Sequence, residues 1–370
     1  MSLSQADERR LLRLYDAAVA PQLWPDILQD LARSVDAVGC CFAIDNVKET
    51  LIAPPMSPEL RDPLTDFVEG GWYAHDLRGR RGWPLLKTGR CVLIEHDVST
   101  EEERQKESYY NEWLRPWDLP WWSAVGFACG ESLLALALLR NARQGAFTRT
   151  EAARLSAWRP HLKRAVSLAQ LLSQRQADSV LATLQHLERA AFIVDMRGRV
   201  SQLNDAAEAL LGGELELHCG RLRAVRRNDD LRLQGLVAAV LAPPFPSGTV
   251  TEEPILIGSA EAGGGLLVEA LPTSGLLQDV FVGTRALLVA TGLGPRKAPP
   301  EERLRRLFKL TASEAAVATR MAVGRNVQET AESLSIATGT VRNHLKAIFA
   351  KTGTHRQSEL VALVQRIRLR

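Results

Sequence analysis

The stretch 338-TGTVRNHLKAIFAKTG-353 sets Arg342, Asn343 and Lys346 on one side of a short segment and Val341, Leu345, Ile348 and Thr352 on the other. Apolar residues at four- and three-residue steps predict a helix that lies on a core and turns a cationic face outward. Upstream, Thr311-Ala-Ser-Glu314 and Asn326-Val-Gln-Glu329 each place a capping side chain three residues ahead of a glutamate, so two further helices are expected to open there. The first runs through EAAVATRMAV to Gly324. The second, QETAESL, is short, and after 335-SIAT-338 the third begins near Thr338 or Gly339. A short helix, a tight turn and an amphipathic helix with a basic outer face make a helix-turn-helix. Its chemistry follows from the major groove of double-stranded DNA, where Arg and Lys meet guanine O6 and N7 and Asn meets adenine N6 and N7.

The charge distribution agrees. From Arg296 to Arg370 there are fifteen Lys or Arg and six Asp or Glu, a net of +9, whereas the whole chain carries +3 and the first 295 residues therefore −6. One end suits a polyanion. The sign changes at 292-GLGPRKAPP-300, whose composition is that of a linker. At 370 residues the chain suggests two or three domains. It shows no long apolar run and no leader, so a cytoplasmic protein without a membrane partner is expected. Five cysteines, Cys40, Cys41, Cys91, Cys129 and Cys219, form no C-x-x-C pair and read as reduced core residues, the vicinal Cys40-Cys41 pair alone inviting a test of thiol chemistry.

The run 310-LTASEAAVATRMAVGRNVQETAESLSIATGTVRNHLKAIFAKTG-353 resembles the LuxR-type helix-turn-helix. It shares the leading Leu-Thr, the Glu of the first helix, Gly before the scaffold helix, Glu then Ala within that helix, and T-V-[KR]-x-H-x-x-x-I-x-x-K in the recognition helix. The resemblance implies that Arg342, Asn343 and Lys346 face bases, that Thr340 and Lys351 lie near phosphates, and that His344 is packed or backbone-bonded. It also implies that the last helix, 356-RQSELVALVQRI-367, pairs two copies through Leu360, Val361, Val364 and Ile367. Three positions depart from the pattern. Thr330 replaces an aliphatic residue, Gln357 an Arg, and Ala337 a capping Ser, the last a loss of about 1 kcal/mol that Thr338 could recover by starting the helix one residue later.

Ahead of the linker, 192-FIVDMRGRVSQLNDAAEALL-211 resembles the opening of a PAS domain, a hairpin leading into a helix capped by Asn, followed by strands in PILIG, GLLVEALP and ALLVAT. The loop 260-AEAGGG-265 reads as a turn and 228-NDD-230 as solvated surface. Residues 1–147 run from two amphipathic helices to the strand AVGCCFAID, then TGRCVLIE, a helix through EEERQKESYYNEWL, and the strand pair WWSAVGFAC and SLLALALLR. This α+β order resembles a GAF-type module. A capping box at Thr148 and Glu151 opens a connecting helix over 148–187, with a near-heptad seam at Leu155, Trp158, Leu162, Ala165, Ala169 and Leu172 that slips by one residue afterwards. Pro160 is a candidate kink, and two helices packing separately are an equal alternative. The expected architecture is multidomain: α+β sensory domains, GAF-like over 1–147 and PAS-like over 188–291, a linker over 292–303, and an all-α helix-turn-helix domain over 304–370.

All eight tryptophans and all four tyrosines precede residue 159. The cluster containing Trp113 and Trp117, with Trp72 and Tyr73 of 72-WYAHD-76, suits either a core or a small-molecule effector pocket. The 72-WYAHD-76 segment faintly resembles the signature of acyl-homoserine-lactone sensors, but Leu77 stands where proline is expected and the tyrosine adjoins the tryptophan. No catalytic, nucleotide-binding or metal-ligand spacing is found, so no enzyme, cofactor or metal is expected. The sequence thus predicts a dimeric transcriptional regulator with DNA, RNA polymerase and a small-molecule effector as partners. A sigma-factor-like promoter reader, or an adaptor whose helix-turn-helix only dimerises, are the alternatives.

Overall fold

A computed structural model of the chain describes residues 5–45, 55–130, 132–195, 197–241, 253–258, 265–272, 284–293 and 301–367. The front region contains α1 (Gln5–Val19), α2 (Trp24–Ser34), β1 (Gly39–Ile44), α3 (Arg61–Glu69), α4 (Leu77–Lys87), β2 (Val92–Ile94), α5 (Glu95–Val98), α6 (Glu101–Lys106), a π-helical turn (Tyr109–Leu114), β3 (Trp121–Cys129) and β4 (Ser132–Arg140). Its four strands form an antiparallel sheet in the order β1-β4-β3-β2. The two-residue period of β4 divides its side chains between two cores: Leu134, Leu136 and Leu138 form a leucine face, and Ala135 and Ala137, flanked by Leu133 and Leu139, an alanine face. The leucine face is covered by α1, α2 and the helices after β4; the alanine face is covered by α3, α4 and the π-helical turn. Helices α3 and α4 were not among the sequence expectations, and the single helix expected through Glu101–Leu114 is two pieces. Cys40 and Cys41 fall on opposite faces of β1, and burial pushes the Cys41 thiol up to about 12, which disfavours the thiolate.

After β4 come α7 (Arg149–Leu155), one 3-10 turn (Ser156–Trp158) and the 28-residue α8 (Arg159–His186). Pro160 lies in the first turn of α8, where its missing N–H has no intrahelical partner to lose, so it starts the helix and does not kink it. The buried residues of α8 step by four, Ala165, Ala169, Ser173, Ala177 and Leu181. A step of four turns about 40° further than a full rotation, so the buried stripe winds around the helix. Leu162, Ala165, Val166 and Ala169 therefore meet the front core, whereas Ala177 and Leu181 meet a second sheet.

That second region contains β5 (Ala190–Asp195), β6 (Val200–Leu203), α9 (Asp205–Glu208), β7 (Leu215–His218), β8 (Arg221–Ala224), α10 (Arg227–Leu241), β9 (Ile255–Ile257), β10 (Leu266–Pro272) and β11 (Thr284–Gly292). Five strands form a sheet in the order β6-β5-β11-β10-β9, with β7 and β8 as a separate hairpin. One face packs on α9 and α10, the other on the rear half of α8. The β7–β8 hairpin and α10 add to the sequence reading. The carboxylates of 228-NDD-230 are also not solvated: Asp230 accepts from Arg223 and from the Ala224 N–H, and Asp229 from the Gly258 N–H, both being buried at the start of α10. The expected turn at 260–265 and most of the expected linker lie outside the described residues. The last five helices are α11 (Glu301–Phe308), α12 (Ala312–Ala322), α13 (Val327–Leu334), α14 (Thr338–Thr352) and α15 (Gln357–Ile367), gathered on one core.

Candidate nucleic-acid interface

Both expected capping boxes form. Thr311 Oγ1 accepts from the Glu314 N–H while Glu314 Oε2 accepts from the Thr311 N–H at 2.7 Å, and Asn326 and Glu329 repeat the exchange at 2.9 and 2.8 Å. Gly324, at φ 92°, ends α12 in a conformation that a side chain would disfavour. Ser335 ends α13 at φ 54° and ψ 43°, and the Ile336 N–H closes back on the Ala331 carbonyl at 3.0 Å. Thr330 is fully buried, its hydroxyl satisfied by Met321 Sδ at 3.3 Å, which is how a polar residue replaces an aliphatic one here.

Val341, Leu345 and Ile348 anchor α14 in the core, leaving Thr340, Arg342, Asn343 and Lys346 exposed, with His344 half-buried. The reading face of the sequence is thus presented as one surface. Ala337 is the residue before α14 and makes no side-chain cap; Thr338 does not restore one, because the helix already begins at it. The uncapped end leaves main-chain N–H groups turned outward. Lys351, expected near phosphates, donates from Nζ to Glu314 Oε2 at 2.6 Å, tying the end of α14 to the start of α12. Burial pushes the Glu314 carboxyl up, but the Lys351 ammonium and the Thr311 N–H outweigh burial and hold it below the usual range. Leu360 and Val364, expected at a dimer face, are buried in the core of their own domain, against α12; Val361 is half-buried, and the Ile367 side chain lies outside the described ones.

Of the four aromatic residues expected around an effector, Trp72 and Trp113 share one core, whereas Tyr73 and Trp117 are exposed. Trp113 is buried beside Phe67 and Tyr109, with ring centroids 4.8 and 5.3 Å away, and its indole N–H has no hydrogen-bond partner. Trp72 sits at the edge of the same core; Tyr73 is exposed, and Trp117, also exposed, donates to Asp66 at 2.7 Å. Beside Trp113 lies a buried polar cluster that sequence reasoning missed. Arg78 pairs with Glu95 at 2.8 Å and donates to the Leu119 and Pro120 carbonyls, while Glu95 accepts from Ser99 and Tyr110. Asp76 caps α4 at the Gly79 N–H, and burial raises its carboxyl, opposed by that N–H and by Tyr109 and Arg78. A Cβ on Gly79 would lie 2.4 Å from Asp76 Oδ2, so a side chain there would displace the capping carboxylate. Among the described residues, no group of three or more His, Cys, Asp or Glu is placed to hold a metal ion, and no helix is long and apolar enough to cross a membrane.

Residues 309–364 match the family model of bacterial regulatory proteins, luxR family. This segment is a LuxR-family helix-turn-helix domain. No curated protein matches the sequence. Among solved structures, the chain is similar to the VqsR LBD domain from Pseudomonas aeruginosa, at 18% identity over 44% of this chain and 94% of that one, with a TM-score of 0.33. It is also similar to VqmA in the phage VqmA-DPO complex, at 14% identity over 52% and 89%, with a TM-score of 0.24. A Vibrio cholerae VqmA dimer gives 16% identity over 50% and 85%, with a TM-score of 0.20. Likenesses this low carry no structural argument.

Within the LuxR-family domain, the residues that sequence reasoning placed on the exposed face of α14 stand there. The Lys351–Glu314 pair had a visible signal, since both residues belong to the quoted motif, but thirty-seven positions separate them and no helical spacing links them.

Proposed function

We propose that this chain is a sequence-specific transcriptional regulator that reads DNA with α14 and takes a small-molecule signal in its front domain. The observation that carries the DNA reading is the division of α14: Arg342, Asn343 and Lys346 are exposed together because Val341, Leu345 and Ile348 are fixed in the core. A preformed helix carries these side chains to base edges without a further cost for ordering backbone. Thr340 and the uncapped N–H groups ahead of it supply phosphate contacts at the positive end of the helix. Arg342→Ala or Lys346→Ala should cost about 1 to 3 kcal/mol at the specific site and relax discrimination at one base position. Gel shifts over a salt series check this, and unchanged sequence preference in the double variant would overturn the assigned reading face.

The front region supports a sensory reading. Its small-residue sheet face, the buried Trp113 N–H and the Asp76–Arg78–Glu95 cluster fit an effector that presents a hydrogen-bond acceptor within an aromatic enclosure. Trp72 and Trp113 belong to this site; Tyr73 and Trp117 stand at its outside. The β5–β6 hairpin leading to α9, capped by Asn204, supports a PAS-like second module, and the helix-covered front sheet a GAF-like first one. Assembly is as a homodimer, with α8 and the outer side of α15 at Val361 as the candidate faces, and RNA polymerase as the downstream partner. Analytical ultracentrifugation that finds only monomer, with and without a palindromic site, would remove the dimer.

A further inference from the structure

Strands β7 and β8 are joined through Cys219 and Gly220, whose φ angles of 50° and 78° are those of a tight two-residue hairpin turn. The turn also meets the neighbouring β5–β6 hairpin. The Val200 N–H donates to the Gly220 carbonyl at 2.7 Å, and Arg199 pairs with Arg221 across an antiparallel bridge. On its other side Arg221 is paired with His218. Residues directly opposite in antiparallel strands share a face, so Arg199, Arg221 and His218 form one cross-strand row, and all three are exposed.

Like charges set directly opposite are destabilising. Here nothing in the fold relieves them: among the described residues, neither Arg199 nor Arg221 forms an ion pair. The carboxylates of the adjoining elements are engaged elsewhere. Asp195 accepts from the main-chain N–H groups of Arg197 and Arg199, Asp230 accepts from Arg223, Glu214 lies 3.6 Å from Arg226, and Glu216 stands opposite Arg223. Each arginine lies along a glycine of the other turn. A Cβ on Gly198 would be 3.6 Å from Arg221 Nη1, and one on Gly220 would be 3.9 Å from the Arg199 stem. Neither turn therefore raises a side chain over the other's arginine. The run 221-RLRAVRR-227 has four arginines and no carboxylate, and its exposed Arg227 also forms no ion pair among the described residues.

We propose that the Arg199–Arg221–His218 row docks on the phosphate backbone of double-stranded DNA flanking the site that α14 reads, an inference that rests on the DNA reading. A guanidinium fork takes two phosphate oxygens at once, and an imidazole adds a ring N–H in either tautomer. Exposed side chains need no enclosure to hold a polyanion, because each phosphate they neutralise releases a condensed counterion. The acidic stretch 101-EEE-103 of a second copy is a poor occupant, since Glu101, Glu102 and Glu103 already pair with Arg104, Lys106 and Arg81. Contacts to phosphate position the protein without reading sequence, so the row adds affinity and leaves base preference to α14.

The test uses the full chain and a duplex site that it selects from random DNA, carried once with short and once with long flanks. On the long duplex, Arg199→Gln combined with Arg221→Gln should lower the log–log salt slope of binding by about two, one for each phosphate no longer neutralised. On the short duplex the slope should stay as in the wild type. Arg221→Glu sets a carboxylate opposite Arg199, so it should hold or raise the unfolding midpoint while weakening binding to the long duplex, which separates a lost contact from a damaged fold. An unchanged slope on the long duplex, with sequence preference intact, would overturn the proposal and leave the DNA reading standing. An equal loss on the short duplex would also overturn it, since the arginines would then act as diffuse charge. Failure to select any site would remove the DNA reading and the proposal together. Poly-L-glutamate that competes with the long flanks better than unrelated duplex does would assign the row to an acidic protein instead.

Discussion

Glu314 performs two tasks with one carboxylate: it completes the cap of α12 and holds Lys351 at 2.6 Å. Helix α14 is thereby pinned at its far end to the start of α12. Lys351→Met should destabilise the LuxR-family domain by about 1 to 2 kcal/mol, below the range for a fully buried pair because the lysine is about one-third exposed. The pH dependence follows from the depressed Glu314 carboxyl. The unfolded chain protonates it more readily than the folded one, so its contribution is complete above the ordinary glutamate range and is lost as pH falls through the lowered folded value. The stability gap between wild type and Lys351→Met, followed by denaturant titration, should therefore close on acidification. A gap that widens would contradict the pair. Ser335 gives the opposite kind of change. It holds φ 54° with a Cβ that glycine lacks, so Ser335→Gly should raise stability by about 0.5 to 1 kcal/mol without altering DNA affinity. A measured loss would mean that the serine hydroxyl matters more than its backbone.

At the scale of elements, what the sequence made legible depended on how local the physics was. The three helices of the reading motif are set by caps and by apolar residues a turn apart, and both signals lie within about five residues of each other. Exposure of Arg342, Asn343 and Lys346 follows from the same spacing. Leu360 and Val364 show the limit: helical spacing marks an apolar face but not whether that face meets its own α12 or a second copy, and the structure turns both residues to α12. The front domain was less legible because Arg78 and Glu95 meet across seventeen residues, and nothing in RGRRG distinguishes the one arginine that is buried. Helix α8 is intermediate. Its four-residue buried steps are in the sequence, but not which domain each half serves. Leu181→Asp should detach the second sheet from α8 while leaving the front core intact. Tryptophan fluorescence, which reports only on residues before 159, should then keep its wild-type unfolding midpoint while circular dichroism becomes biphasic. Loss of both signals together would show that α8 and the two sheets unfold as one unit.

Over the whole molecule, the distribution of tryptophan separates the signal from its output. Every tryptophan lies at or before Trp158, and the residues proposed to face bases begin more than 180 positions later. An effector seated beside Trp113 would change emission directly, whereas DNA bound at α14 can change it only through the protein. Helix α8 contacts the front core with one half and the second sheet with the other, which makes it the physical route available between those two. In a binding equilibrium the coupling is reciprocal: if an effector changes DNA affinity by some factor, specific DNA must change effector affinity by the same factor, typically about 5- to 150-fold. A fluorescence titration of an effector with and without specific DNA, set against gel shifts with and without that effector, measures both factors. They should agree, and Leu181→Asp should bring both toward unity while leaving effector binding in the absence of DNA unchanged. Effectors that quench the emission but leave both factors at unity would make the aromatic enclosure a binding site without control over DNA.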